Sequence, residues 1–279
     1  MDKMAAPFVS TDWLGRNLKN PKLVIVDARP SREYEAGHIP GAINSFFGAW
    51  VTERDGLSLE LPADDHLLNL VGSLGIKPTS TIVVVTAADN SYSRADATRV
   101  AWTMIVAGLK NVSVLDGGFT KWLEEKRRVS IETAIPTPGT YKARVRRDVV
   151  VSKAYVMGKI GKATIVDARD AGVYFGVAIE PFAPRPGHIK GAVNLPTPWL
   201  YTALGTLLGR DDIGAMAANA VGNDKSKEII VYCGVGGYAS TWWFLLTRML
   251  GYRNVKYYDG SAQDWAADPL APMTRYKWR

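Results

Sequence analysis

The chain carries the same text twice. The apolar run Leu23 to Val26, closed by Asp27-Ala28-Arg29, returns as Thr164 to Val166 closed by Asp167-Ala168-Arg169, with Asp167 standing 140 residues after Asp27. Gly37-His38-Ile39-Pro40-Gly41-Ala42-Ile43-Asn44 returns as Gly187-His188-Ile189-Lys190-Gly191-Ala192-Val193-Asn194. Ile82 to Val85 matches Ile229 to Tyr232, and Leu115-Asp116-Gly117-Gly118 through Trp122 matches Tyr258-Asp259-Gly260-Ser261 through Trp265. Four blocks repeated in one order constitute a duplication, so whatever one half folds into, the other must also reach. A chain of 279 residues is long enough for two domains, each with its own core.

Within the first half, Ser10 to Lys19 reads as a helix, Leu23 to Arg29 as a strand with a polar end, and Ser31 to Glu35 as a short helix. A helix over Asp64 to Leu74, a buried strand over Thr81 to Val85 and a long helix over Arg94 to Leu109 follow. Val112 to Gly118 runs as a strand into a turn, and Phe119 to Glu124 is a last helix. Strands alternating with helices predict an α/β fold, a parallel sheet covered on both faces, in each half. Pro136, Pro138 and Gly139 mark a linker over 132–146 between a first domain at 1–131 and a second at 147–279.

The halves differ where chemistry is expected. In parallel sheets ligands gather beyond the carboxyl ends of the strands. At that place the second half has Ile229-Ile230-Val231-Tyr232 followed by Cys233, the single cysteine, while the first half has Thr86. The loop Gly234-Val235-Gly236-Gly237-Tyr238-Ala239 leads into an apolar helix with Trp242, Trp243, Leu245 and Leu246, ending near Gly251. Unpaired amides and the positive end of a helix dipole favour an anion there, which predicts a Cys233 thiol of lowered pKa. The glycines permit the positive φ that lets a backbone curl around a sulfur atom. Threonine cannot supply a thiolate, so one half is read as active and the other as a scaffold.

His38 and His188 occur in both halves and read as turn organisers. Asp27 with Arg29, and Asp167 with Arg169, read as buried carboxylate–guanidinium frameworks at strand ends. Asp116 and Asp259 read as turn residues.

The paired Asp-Ala-Arg, Gly-His-Ile-x-Gly-Ala-x-Asn and Asp-Gly-Gly/Ser…Trp blocks, with the cysteine loop in the second copy, resemble the tandem rhodanese family over nearly the whole chain. The resemblance implies two rhodanese-like domains, each a five-stranded parallel sheet flanked by helices, with an inactive first domain. It also implies a sulfurtransferase in which the Cys233 thiolate takes a sulfane sulfur, becomes a persulfide and passes the sulfur to a thiophilic acceptor such as cyanide or a thiol. The amides of Gly234 to Ala239 are the expected cradle for the anionic persulfide. A non-turnover sulfur carrier or protein-binding module is the alternative. Cysteine-dependent phosphatases need an arginine after five intervening residues, a position held here by Ala239.

The chain departs from the family at the residues that choose the donor. Basic side chains that follow the cysteine in thiosulfate-specific relatives are replaced by Gly234 and Val235, and the arginine that the family places four residues beyond the Asp-x-Arg arginine is replaced by Val173. Arg185 is the candidate for a second donor-binding arginine, with Asp167 and Arg169 as further candidate substrate contacts. These departures predict weak turnover with mercaptopyruvate and modest turnover with thiosulfate, and leave polysulfide, a small persulfide or a protein as other donors.

Composition removes several other classes. One cysteine excludes an internal disulfide, and the three scattered histidines and the lack of a lysine-bearing phosphate loop point to no metal and no organic cofactor. The net charge of +7 is read as a field that draws small anions rather than nucleic acid, since Lys126-Arg127-Arg128 and Arg144-Arg146-Arg147 have no interleaved aromatics. No apolar run is long enough to span a bilayer, and Met1-Asp2-Lys3-Met4 lacks the apolar segment of a signal peptide. A monomeric, cytoplasmic protein is the expectation, or a periplasmic one if the chain is processed.

Overall fold

A computed structural model of the chain describes residues 5–276; the opening Met1 to Met4 lies outside the described residues. The elements are β1 (Phe8–Val9), α1 (Thr11–Asn17), β2 (Leu23–Asp27), α2 (Ser31–Ala36), β3 (Ile43–Asn44), the hairpin β4 (Thr52–Arg54) and β5 (Leu57–Glu60), and α3 (Asp64–Ser73). β6 (Thr81–Val85), α4 (Ser91–Val106), β7 (Val112–Leu115) and α5 (Gly118–Glu124) complete the first repeat. The second holds β8 (Val150–Val151), α6 (Lys153–Lys159), β9 (Thr164–Asp167), α7 (Ala171–Tyr174), β10 (His188–Ile189), β11 (Val193–Asn194) and α8 (Arg210–Val221). It ends with β12 (Ile229–Tyr232), α9 (Gly237–Phe244), β13 (Val255–Tyr258), α10 (Ser261–Ala267) and β14 (Met273–Thr274).

Each repeat builds a five-stranded parallel sheet, in the order β1-β7-β6-β2-β3 and β11-β9-β12-β13-β8. The central strands are buried along successive residues, the β-branched Ile82 to Val85 in β6 and Ile229 to Val231 followed by Tyr232 in β12. Side chains alternate between faces, so burial without a break means that both faces are covered. The helices begin where their sequences supply caps. Ser10 and Ser152 accept the amides of Trp13 and Tyr155, and Asn90 with Ser93 closes a capping box on α4. The helix expected over Arg94 to Leu109 therefore starts three residues earlier, and the end of the helix after Cys233 relaxes into a π-helical turn over Leu245–Met249.

Leu14, Ile25, Tyr34, Val83, Val85 and Trp122 pack one core, and Val156, Ile165, Tyr174, Ile230, Tyr232 and Trp265 the other. Each buried apolar side chain contributes about 1.5–3 kcal/mol. His38 and His188 each stack on a tyrosine, Tyr34 and Tyr174, at 3.8 Å between ring centroids. Each also bonds through Nδ1 to that tyrosine's carbonyl at 2.8 Å. Both histidines thus fix the Gly-His-Ile turn against the preceding helix. Burial holds the His188 imidazole below the usual histidine range, in its neutral form.

The chain divides into two compact units. The first is built from residues through Thr52, from Leu61–Arg147 and from Ala203–Leu207; the second is built from Glu53–Glu60, Asp148–Thr202 and from Leu208 onward. The segment marked by Pro136 and Gly139 lies along the first unit, where Gly139 N donates to Gly72 O at 2.9 Å and Arg146 N to Val106 O at 2.7 Å. Basic residues of the first unit are partly neutralised, Arg127 by Asp12 and Glu125 and Arg147 by Asp64. Among the described residues no helix is long and apolar enough to cross a membrane.

Candidate active site

Strand β12 ends at Tyr232, and the next residue, Cys233, is 2% exposed. The backbone then turns through Gly236 in the left-handed region, φ 95°, and enters α9 at Gly237. Gly237, Tyr238 and Ala239 accordingly form the first helical turn rather than a longer loop. The Gly236 amide donates to Cys233 Sγ at 3.1 Å, and the amides of Val235 and Ala239 also point at the sulfur. The hydroxyl of Tyr257 on β13 donates to the Gly236 carbonyl and holds the turn from behind. The start of α10 is tied to the same loop, with Ala262 N donating to Cys233 O and Gln263 N to Gly234 O.

These amides favour a thiolate, yet the thiol is held above its ordinary pKa, because burial outweighs them and the nearby Glu180 carboxylate adds to the rise. The lowered pKa expected from the strand-to-helix position is thereby corrected. The helix start is present, but the sulfur is withdrawn from water and faces a carboxylate.

Glu180 and Phe182 stand directly over the loop. A Cβ placed on Gly234 would lie 2.9 Å from both Glu180 Oε2 and Phe182 Cζ, so only glycine fits there. Both residues belong to the stretch between α7 and β10, which the second repeat has lengthened. Asp27 precedes His38 by 11 residues, whereas Asp167 precedes His188 by 21. That strap closes on itself through Ala183 N donating to Glu180 O at 3.1 Å.

Arg169 is 2% exposed and fully committed. It grips Asp167 through Nε and Nη2, the latter at 2.6 Å, donates to the Gly187 carbonyl at 2.8 Å, and reaches Glu180 Oε2 at 3.3 Å. Tyr232 donates its hydroxyl to Asp167 Oδ2 at 2.6 Å. Asp167 and Arg169 therefore sit beneath the strap, joined to the cysteine loop through Glu180 and Tyr232. Arg185 is turned elsewhere. Its guanidinium donates to the carbonyls of Asp268 and Ala271 (the latter at 2.9 Å), just past α10. The side chain that follows Glu180-Pro181 over the loop is Phe182, not an arginine. Val173 lies within the short α7.

Glu180, Phe182, Ser261 and Tyr257 escaped the sequence reading. The unequal spacing before the two Gly-His-Ile turns was the one signal that an extra element covers the second site. In the first repeat Thr86 takes the place of Cys233, and its hydroxyl is spent on the Ser93 carbonyl at 2.7 Å.

Two parallel α/β units built on one plan, one of them ending its central strand in a cysteine ringed by amides, define a duplicated domain with a single thiol site. The model of the Rhodanese-like domain matches residues 10–125 and again 152–268, and the chain belongs to the rhodanese family of sulfurtransferases. It is 31% identical to a putative thiosulfate sulfurtransferase of Mycolicibacterium smegmatis, covering 95% of this chain and 96% of that one. It is 33% identical to the thiosulfate sulfurtransferase of Rattus norvegicus, over 92% of this chain and 91% of the relative. It is also 31% identical to the sulfur carrier protein TtuD of Thermus thermophilus, over 92% of each chain. Among solved structures, the anaerobic ergothioneine biosynthesis enzyme of Chlorobium limicola superposes with a TM-score of 0.82 at 22% identity, covering 99% of this chain and 72% of that one, which speaks to the fold alone.

Proposed function

We propose that Cys233 carries a sulfane sulfur from a donor to a thiophilic acceptor through a persulfide. The observation that supports this is the ring of amides from Val235, Gly236 and Ala239 around Sγ at the start of α9. With thiosulfate, the Cys233 thiolate attacks the outer sulfur, the S–S bond of the donor breaks, and sulfite leaves with the electron pair. The new Cys233 S–S anion lies where the amides converge. Cyanide then attacks the outer sulfur, thiocyanate leaves, and the thiolate is restored.

The raised pKa of Cys233 sets the first step against a cost at neutral pH, which favours a second reading in which the protein holds sulfur and releases it to a thiol or partner without fast turnover. The relative named a sulfur carrier is in keeping with that reading. Intact mass after incubation with thiosulfate or polysulfide, then with cyanide, tests both. Addition of one sulfur atom that cyanide removes, and that Cys233→Ser abolishes, is the expected result. No added sulfur from either donor would overturn the proposal, and sulfur added without steady-state thiocyanate formation would leave the carrier reading.

A further inference from the structure

We infer that Glu180 and Phe182 select the donor, turning away small dianions and admitting sulfur compounds of lower charge with an apolar body. This rests on the reading of Cys233 as the sulfur-accepting residue and adds a substrate class to it.

Charge is the first observation. Arg169 lies between two carboxylates, Asp167 at 2.6 Å and Glu180 at 3.3 Å. One guanidinium against two carboxylates leaves a net negative charge beside the cysteine loop. A donor such as thiosulfate brings two further negative charges toward that place, whereas an organic thiosulfonate or a persulfide brings at most one. Within a protein, charges a few ångströms apart interact far more strongly than in water, so a difference of one charge separates the donors substantially.

Occupied space is the second. The volume that a side chain on Gly234 would fill is taken by the Phe182 ring and the Glu180 carboxylate. Arg185, the cation of this strap, is spent on the carbonyls of Asp268 and Ala271. The same strap is apolar on its outer side, with Val177 and Ile179 more than half exposed and Phe182 at 40%. An apolar donor body thus meets a hydrophobic rim, while an anionic headgroup meets a carboxylate.

The matched probes are thiosulfate and benzenethiosulfonate, which deliver the same outer sulfur and differ by one charge and a phenyl ring. For benzenethiosulfonate the Cys233 thiolate attacks the outer sulfur, the S–S bond breaks, and benzenesulfinate leaves. Wild-type protein at about pH 8 is expected to show kcat/KM at least about tenfold higher for benzenethiosulfonate, with the ratio falling as salt is raised to about 0.5 M. Glu180→Gln frees more thiolate for either donor, and beyond that common gain it is expected to raise kcat/KM for thiosulfate about tenfold more than for benzenethiosulfonate. Phe182→Ala is expected to lower the ratio of kcat/KM for benzenethiosulfonate to that for thiosulfate. Both donors loading Cys233 with a ratio that neither salt nor Glu180→Gln alters would overturn the inference and leave the sulfurtransfer reading standing. Neither donor loading wild-type Cys233 would bring down both. The salt series on wild-type protein decides the charge effect even if a variant fails to fold.

Discussion

The hydroxyl of Ser261 accepts the amide hydrogen of Cys233 at 3.2 Å and donates its own to the carbonyl of Tyr258 at 2.9 Å. One side chain at the start of α10 thereby links the end of β13 to the residue proposed to carry sulfur. To do so, Ser261 adopts a left-handed backbone with φ 51°, where the first repeat has Gly118 at 57°.

That exchange of glycine for serine sets opposing terms. Ser261→Ala keeps the left-handed strain and leaves the buried Cys233 amide without its partner, and is expected to cost about 1–3 kcal/mol. Ser261→Gly also loses the bond but relieves about 1–2 kcal/mol of strain, and is expected to be close to neutral. Urea unfolding of both variants checks this, and Ala as stable as Gly would contradict it.

Alkylation reports the thiol. Burial and the Glu180 carboxylate keep the proton on Cys233, so its rate with iodoacetamide is expected to go on rising beyond about pH 9, the region where an ordinary thiol levels off. Glu180→Gln removes one of the two causes and is expected to move the curve toward lower pH. A wild-type plateau near neutral pH would contradict the raised pKa.

Asp96 on α4 is the clearest acid-linked group of the first unit. Its carboxyl borders a cavity of about 290 Å³ with Glu33, Asp89 and Arg29, and burial pushes its pKa up to about 7. The folded state therefore holds this proton more tightly than the unfolded state. The stability it contributes is fully present below about pH 4 and is lost as the pH rises through about 7. Asp96→Asn is expected to stabilise the protein by roughly 2–4 kcal/mol at about pH 8.5, with the gain shrinking toward pH 4. Urea midpoints at several pH values give the answer, and a gain independent of pH would exclude this origin.

Gln263 follows the cysteine loop into α10 and clasps the hairpin of β4 and β5. Its side-chain amide donates to Ser58 O at 2.8 Å and its carbonyl accepts from Ser58 N at 3.0 Å. Gln263→Ala is expected to cost about 1–3 kcal/mol and to speed hydrogen exchange at the Ser58 amide. Unchanged exchange there would show that the hairpin is held by other contacts.

The strands, the cysteine turn and the Asp167–Arg169 framework were legible because each follows from local pattern: β-branched runs, a glycine-rich strand-to-helix junction, and short-range charge pairing repeated in both halves. The sequence misleads on the thiol pKa because helix-start amides are visible in it, whereas the burial of Cys233 and the approach of Glu180 depend on how a lengthened strap folds back. The family resemblance points to Arg185 as a second donor-binding arginine. The strap closes at Glu180 and Ala183, which turns Arg185 toward the end of α10 and leaves Phe182 over the loop. Ser58 and Gln263 are about 200 residues apart, and no local pattern announces such a pair.

Each unit borrows a piece of chain from the other repeat, and this bears on the order in which the protein can mature during synthesis. Leu207 N donates to Asp116 Oδ1 at 2.9 Å and Gly205 packs against Arg94, so Ala203–Leu207 completes the first unit although it is made about 60 residues after Arg147. At typical elongation rates that is a wait of several seconds. The hairpin over Glu53–Glu60 emerges early and idles until α10 and Gln263 exist. The nascent first unit therefore leaves the ribosome unfinished, and a gene cut between the repeats would yield two fragments, each missing a segment that only the other encodes.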